Sequence, residues 1–278
     1  RPYYICLKKV ITLFMKMDAD IVVMTTPDLD KYYLKRSYVR KDIEYIFIEH
    51  GPTSPNMTYR EGALNHFDTI FCAGQHEVDE IREIEKVYEL PQKKLVECGY
   101  GQMDSLLEAY ESAPKEEHNV KKILVAPSYQ PDNILDSCLD EIVEQLGDGE
   151  YSVIIRPHPE YKKRFPGKFE AMLQKYKDRI SDTFIIETDF SSNVTIFTAD
   201  LVITDWSGIA YEFSYTTKKP SLFINTPMKI INPNYEKISI TPIDISLRNE
   251  IGVAVDTDKL NTLKRTVDML FEKQAEYH

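Results

Sequence analysis

The feature that most constrains this chain is a repeated pattern: a short run of apolar, largely β-branched residues that stops abruptly in polar ones. Val153-Ile154-Ile155 runs into Arg156-Pro157-His158-Pro159, and Leu201-Val202-Ile203 runs into Thr204-Asp205-Trp206-Ser207-Gly208. Runs of this kind read as strands buried on both faces, the signature of parallel sheets. In an open α/β sheet, ligands bind beyond the carboxyl ends of the strands. Arg156, His158, Asp205 and Ser207 are therefore expected to face one cleft. The prolines on either side of His158 restrict the backbone there and give the imidazole a stiff support. Ser207-Gly208 opens an apolar-periodic segment (Ile209, Ala210, Phe213) that reads as a helix. Its N-terminus offers N–H groups and a partial positive charge to an anion. A guanidinium, an imidazole and a helix start together point to a phosphate or diphosphate site.

The same alternation runs through the whole chain. A helix is expected over Ile5–Met15, then a buried strand at Asp20–Thr26 and further strands at Ile43–Ile48 and Asp68–Ala73. A helix over Gln75–Leu90 shows Val78, Ile81, Ile84 and Val87 on one face. Leu95–Cys98 is a short strand and Met103–Tyr110 a helix. The polar, proline-containing stretch Glu111–Asn119 has the character of a linker. Beyond it come strands at Ile123–Ala126, Val153–Ile155, Phe184–Ile186, Leu201–Ile203, Ser221–Ile224 and Gly252–Val255. The intervening helices are Ile134–Leu146, Phe169–Ile180, Val194–Thr198 and Ile209–Thr217, with an irregular stretch over Pro227–Asp244 and a last helix from Asp258 to Glu276. Strands alternating with helices of this length predict parallel, doubly wound sheets. The expected fold class is α/β with two Rossmann-like domains facing across a cleft. Residues 1–113 form the first, which reads as shortened at its start, and residues 119–278 the second.

Composition narrows the function classes. At 42% hydrophobic and 28% charged residues the chain is typical of a water-soluble globular protein. No run approaches the roughly 18 apolar residues of a membrane span. The formal charge, 34 − 45 = −11, argues against nucleic-acid binding by bulk electrostatics. An anionic ligand must be held by local positive groups. The four cysteines, Cys6, Cys72, Cys98 and Cys138, show no CxxC pairing and read as reduced thiols of a cytoplasmic protein. The phosphate-loop and dinucleotide glycine motifs, HExxH, GxSxG and the EF-hand pattern are all absent, so no metal or cofactor is implied.

Several residues are candidates for chemistry. His50 ends the Ile43–Ile48 strand and precedes Gly51-Pro52, a setting that allows close approach of a ligand. The bland alternative is a histidine hydrogen-bonded in its loop. Arg156 suits bidentate binding of phosphate oxygens, and His158 a further hydrogen bond or a proton transfer. The alternative for Arg156 is to neutralise a carboxylate such as Glu160. Asp205 suits orienting a histidine, acting as a base or capping the next helix. Ser207 and Gly208 suit a phosphate, Trp206 suits packing under the loop, and Glu212 lies two turns further along, within reach of a ribose. Lys162, Lys163 and Arg164 extend the positive charge near His158. Lys31–Lys41 is a basic, tyrosine-rich segment in an acidic chain.

The ordered set of HG at 50–51, RPHP at 156–159 and TDWSG with YEF at 204–213, together with TTPDLDKYYLKRS at 25–37, resembles the CDP-glycerol glycerophosphotransferase family. These are the teichoic-acid and capsule polyol-phosphate transferases, of GT-B fold. The resemblance spans nearly the whole chain and is firmest from Ile43 to Asn225. It implies an enzyme that moves glycerol phosphate, or a related polyol phosphate, from CDP-glycerol or CDP-ribitol to a lipid-linked or glycan hydroxyl, releasing CMP. It further implies that His50 and His158 are catalytic, with Asp205 beside them. Arg156, Ser207, Gly208 and Glu212 would bind the donor, with no metal or cofactor and no nucleic-acid partner. Trp206 stands at a position where the family often has a second serine, which leaves one hydroxyl for the phosphate. Family members work at the inner face of the cytoplasmic membrane, so a peripheral membrane contact is expected, with Lys31–Lys41 as the segment that makes it. The rival readings are a GT-B nucleotide-sugar glycosyltransferase or epimerase, and a non-catalytic module that binds envelope glycan.

Overall fold

Parallel strands of this length need helices on both faces, and the chain supplies them in two compact units. A computed structural model describes residues 7–113 and 119–277. Ile5, Cys6, His278 and the centre of the expected linker, residues 114–118 with His118, lie outside the described residues. The first unit comprises the chain up to Gly101 together with Ile230–Ile243, and the second comprises Gln102–Lys229 and Asp244–His278.

The first unit contains α1 (Leu7–Met15), β1 (Ile21–Met24), β2 (Glu44–Ile48), α2 (Pro55–Thr58), β3 (Thr69–Cys72), α3 (Gln75–Val87) and β4 (Lys94–Glu97). Its four strands lie side by side in the order β1-β2-β3-β4, all parallel. Tyr45, Phe47, Ile70, Cys72 and Ile81 form the heart of its core. The strand at 20–26 is found, but its expected burial on both faces is not. β1 is an edge strand, and Ile21 and Val23 are each 53% exposed while Val22 packs into the core. An edge strand has a covered face and an open one, and apolar composition alone does not show which strand lies at the edge. The stretch Ile230–Ile243, irregular as expected, pairs with α2. The N–H groups of Ile231 and Asn232 donate to the Met57 carbonyl, and Asn56 and Asn232 bond each other's segment through their side-chain amides.

The second unit holds α4 (Gly101–Ser112), β5 (Lys122–Val125), α5 (Ile134–Ser137), α6 (Leu139–Leu146), β6 (Ser152–Ile155), α7 (Pro159–Arg164) and α8 (Pro166–Tyr176). These are followed by β7 (Phe184–Ile186), α9 (Val194–Thr198), β8 (Leu201–Thr204), α10 (Ile209–Thr217), β9 (Ser221–Asn225), α11 (Ile243–Ser246), β10 (Gly252–Asp256) and α12 (Leu263–Glu272). The six strands are parallel in the order β10-β9-β8-β5-β6-β7. Alternate residues of each strand feed two cores. Ile123, Val125, Val153, Ile155, Leu201 and Ile203 pack with α5, α6, α8 and α12. Leu124, Ile154 and Val202 pack with Ile196 of α9 and Phe213 of α10. Helices therefore cover both faces, as the fully apolar strands require.

Several helices depart from expectation. The segment 134–146 is broken at Cys138, whose φ/ψ of −149°/17° lies outside the helical region. The last helix is a 3₁₀ turn, then α12, then a second 3₁₀ turn, because Lys259 and Lys273 leave helical geometry. α7 was not expected at all. It starts at Pro159, where a fixed φ and a missing N–H suit the first helical position. Among the described residues no helix is long and apolar enough to cross a membrane.

Gly252 marks where β9 and β10 come closest. A Cβ there would lie 1.7 Å from the backbone oxygen of Ser221. Gly252→Ala must push the strands apart. It should lower stability by about 1–3 kcal/mol, read as a lower urea midpoint at unchanged slope. A wild-type midpoint would show that the β9–β10 ladder yields freely.

Candidate active site

In the second sheet the chain leaves β5 toward one face and β8 toward the other, so their adjacent carboxyl ends form the topological switch point. Asp205, 1% exposed, sits there. Its Oδ1 accepts from the backbone N–H of Ser128 at 2.7 Å and of Trp206 at 2.6 Å, and its Oδ2 accepts from Ile134 at 3.3 Å. The expectation that Asp205 caps the helix after it is corrected. It serves the first turn of α5 instead, beside the Asn133 side chain that accepts from Leu135. Gly208 stands at the start of α10 and no side chain caps that helix. A Cβ on Gly208 would meet nothing within 4 Å, so an anion has room to approach its backbone. Ser207 is half-buried beside it, and Glu212 lies half-buried in the first turn.

Two residues that sequence reasoning passed over complete this end of the sheet. Ser128 follows β5 as Ala126-Pro127-Ser128, the same strand-to-polar transition as at β6 and β8. Its hydroxyl is buried with no partner. Arg248, 5% exposed, lies 4.0 Å from the Trp206 ring centre and 4.5 Å from that of Phe223. It donates to the Asp205 carbonyl at 3.3 Å and to Asn225 at 2.8 Å. Burial pushes its pKa down to about 10, against the pull of Tyr211, Asp205 and Asp244. Trp206 packs as expected, with its Nε1–H on the Thr226 carbonyl at 2.9 Å.

At the end of β6, His158 is the N-cap of α7. Its Nδ1 accepts the backbone N–H of Glu160 at 3.1 Å. That bond fixes the neutral tautomer with the proton on Nε2. Burial, then Lys229, with smaller contributions from Lys163 and Arg164, holds the imidazole below its usual pKa, against the opposing charge of Glu160. Tyr129 lies 4.8 Å away, ring centre to ring centre. Arg164 and Lys229 both sit over that tyrosine ring, at 5.0 and 5.1 Å. Arg156 is differently engaged. Its guanidinium bonds Glu187 at 2.7 Å, Thr195 at 3.1 Å and the Ser192 carbonyl at 3.0 Å, so its ion-pair partner is Glu187 and not Glu160. Glu160 pairs with Lys163 and Arg164.

In the first unit, His50 is exposed at the end of β2. Its Nδ1 lies 3.4 Å from the Tyr59 hydroxyl, and its backbone carbonyl accepts from Tyr100 at 3.3 Å. The Tyr59 hydroxyl donates to Glu49 at 2.7 Å. Glu49, Glu77 and Glu80 are buried, and one oxygen of Glu49 has no hydrogen-bond partner. Burial pushes the Glu49 carboxyl up to about 7, helped by Glu80 and opposed by bonds from Tyr59 and the His50 backbone. Burial, then Glu49, pushes Glu77 up to about 9. Cys72 and Cys138 are buried thiols, Cys98 is an exposed one, and none of the three is in a disulfide.

The comparisons with known proteins fit these two units. UDP-GlcNAc 2-epimerase from Methanocaldococcus jannaschii, solved with UDP-GlcNAc and UDP, superposes with a TM-score of 0.63 at 16% identity, over 96% of this chain and 73% of that one. A histidine variant of the wall teichoic acid polymerase TagF superposes at 0.51 with 14% identity, over 92% and 68%. At such identities the likeness shows the fold, which is GT-B. No curated protein matches the chain. Residues 17–229 match the family model described as CDP-glycerol:poly(glycerophosphate) glycerophosphotransferase, and the chain belongs to that family.

The three N–H groups on Asp205 make a specific demand. Asp205→Asn replaces one accepting oxygen by a donor that faces a donor. It should cost about 1.5–3 kcal/mol, the worth of a hydrogen bond to a charged group, in urea unfolding. An unchanged midpoint would mean that the carboxylate is not the staple of the switch point.

Proposed function

We propose that the protein transfers glycerol phosphate, or a related polyol phosphate, from a CDP-linked donor to a hydroxyl of an envelope polymer, releasing CMP. The family match over residues 17–229 carries this reading. The acceptor oxygen attacks the phosphorus that bears the polyol. A new O–P bond forms, the bond from that phosphorus to the bridging oxygen breaks, and the bridging oxygen leaves with its electron pair on CMP. His50 would take the acceptor proton on Nε2. The Nε2–H of His158, the Ser207 hydroxyl and the N–H groups at the start of α10 would donate to phosphate oxygens, as preorganised donors do. Support for His158 as donor comes from its capped Nδ1. Glu212 would lie toward the ribose. Arg156, bonded to Glu187, Thr195 and Ser192, would act by holding the stretch after β7 in place beneath the donor.

Enzyme mixed with CDP-glycerol, CDP-ribitol or UDP-sugars and an envelope acceptor should release CMP and not UDP, by chromatography of the nucleotides. His50→Ala should keep donor affinity while turnover falls roughly 10²–10⁴-fold, the size of a general-base contribution. His158→Ala should weaken donor binding as well as turnover. UDP release, with no CMP, would replace this reading by a nucleotide-sugar enzyme.

The peripheral membrane contact belongs to the same proposal, with a changed basis. Arg36 pairs with Asp68, and Arg40 with Asp18, Asp20 and Asp42, so the arginine charge of the 31–41 segment is largely balanced. Tyr32, Tyr33, Tyr38 and Val39 are nevertheless among its most exposed large side chains. Aromatic rings of this kind favour the headgroup level of a bilayer. The protein should float with anionic liposomes at low salt, and Tyr38→Ser with Val39→Ser should release most of it. No flotation of the parent would reject the contact.

A further inference from the structure

We propose that Tyr59 and Glu49 are positioning residues that set which nitrogen of His50 carries the proton. The proposal rests on the reading of His50 as the base and deepens it. A phenol hydroxyl has one hydrogen, and that of Tyr59 is directed to Glu49 at 2.7 Å. Toward His50 Nδ1, 3.4 Å away, the same hydroxyl then presents only a lone pair. Nδ1 must supply the hydrogen of that contact, which leaves the acceptor lone pair of the neutral ring on Nε2. A carboxylate behind a histidine does this directly in a catalytic triad. Here a tyrosine stands between the two.

The parts are held firmly enough for the task. The Tyr59 ring meets Phe47 edge-on at 5.7 Å and 89°, and its backbone N–H closes α2 on the Pro55 carbonyl. Tyr100 holds the His50 carbonyl from another side. Glu49 is 7% exposed, and its second oxygen is buried without a partner. An orphaned buried carboxylate oxygen is costly and uncommon, and asks for a reason. The ionisable groups that bear on Glu49 are Tyr59 after α2, His50, Glu77 and Glu80 on α3, and Cys72 on β3. Burial, with a smaller push from the charge of Glu80, keeps its carboxyl near 7. The chain from Glu49 to His50 is therefore fully charged only above that pH. A negative group behind an imidazole also favours the imidazolium, so removing it lowers the histidine pKa.

The direct test is ¹⁵N NMR of the full chain with labelled histidine. At pH 8, His50 should show the tautomer protonated on Nδ1, and His158 the one protonated on Nε2. Tyr59→Phe, which keeps the ring against Phe47, should move His50 toward the Nε2-protonated form and leave His158 as it was. In the CMP-release assay, Tyr59→Phe and Glu49→Gln should each cut kcat on the order of 10- to 100-fold, as loss of an outer-shell partner does. Donor affinity should hold, and the acid limb of the pH profile should shift to lower pH. Added to His50→Ala, Tyr59→Phe should cost little more. A parent His50 protonated on Nε2 overturns the proposal. So does a Tyr59→Phe enzyme with the parent kcat and pH profile. If the parent releases no CMP from any CDP-polyol, the functional reading fails, and the tautomer measurement still decides this one.

Discussion

The second unit depends on one carboxylate. β5 and β8 are neighbours in the sheet, yet the chain leaves them toward opposite faces, to α5 and to α10. That divergence opens a gap at their carboxyl ends where backbone N–H groups lack partners. Asp205 closes it by accepting from Ser128, Trp206 and Ile134 at once. The Thr204 hydroxyl adds a bond to the Ala126 carbonyl at 2.7 Å, and Arg248 stacks on Trp206 while it holds the Asp205 carbonyl. Loop, helix start and strand end become one rigid piece. The start of α10 and Ser207 inherit their positions from it. A buried carboxylate with three charge-assisted bonds is stable where an unpaired one would not be.

Much of this was legible in the sequence, and for a definite reason. A strand buried on both faces must be apolar at every position, so Val153–Ile155 and Leu201–Ile203 announced themselves, and the strand-end rule then led to His158, Asp205 and Ser207. The same rule applied to Ala126-Pro127-Ser128 would have found Ser128. Other features left no local trace. β1 is as apolar as β8, and only its place at the sheet edge exposes Ile21 and Val23. No glycine or proline marks the break at Cys138. Arg156 meets Glu187, 31 positions away, and no pattern of charges in the sequence selects that acid over nearby Glu160. Periodicity reports burial, whereas ion-pair choice depends on how the loops after β6 and β7 come together.

His50 and His158 show how far such a reading reaches. In the sequence they are alike: each follows a strand and has proline close by. The structure separates them at one atom, Nδ1. In His158 that nitrogen accepts a backbone N–H, because Pro159 begins a helix whose first turn needs a cap. In His50 it faces a hydroxyl whose hydrogen is already committed to a carboxylate. The first ring is fixed as a donor on Nε2 and resists protonation, since burial and Lys229 disfavour the added charge and a proton on Nδ1 would break the cap. The second ring is biased to accept on Nε2. The proposed phosphoryl transfer would use an acceptor for the released proton and a donor for the charge on the transferring phosphate. Identical side chains acquire these two polarities from a helix cap in one unit and from a tyrosine–glutamate pair in the other.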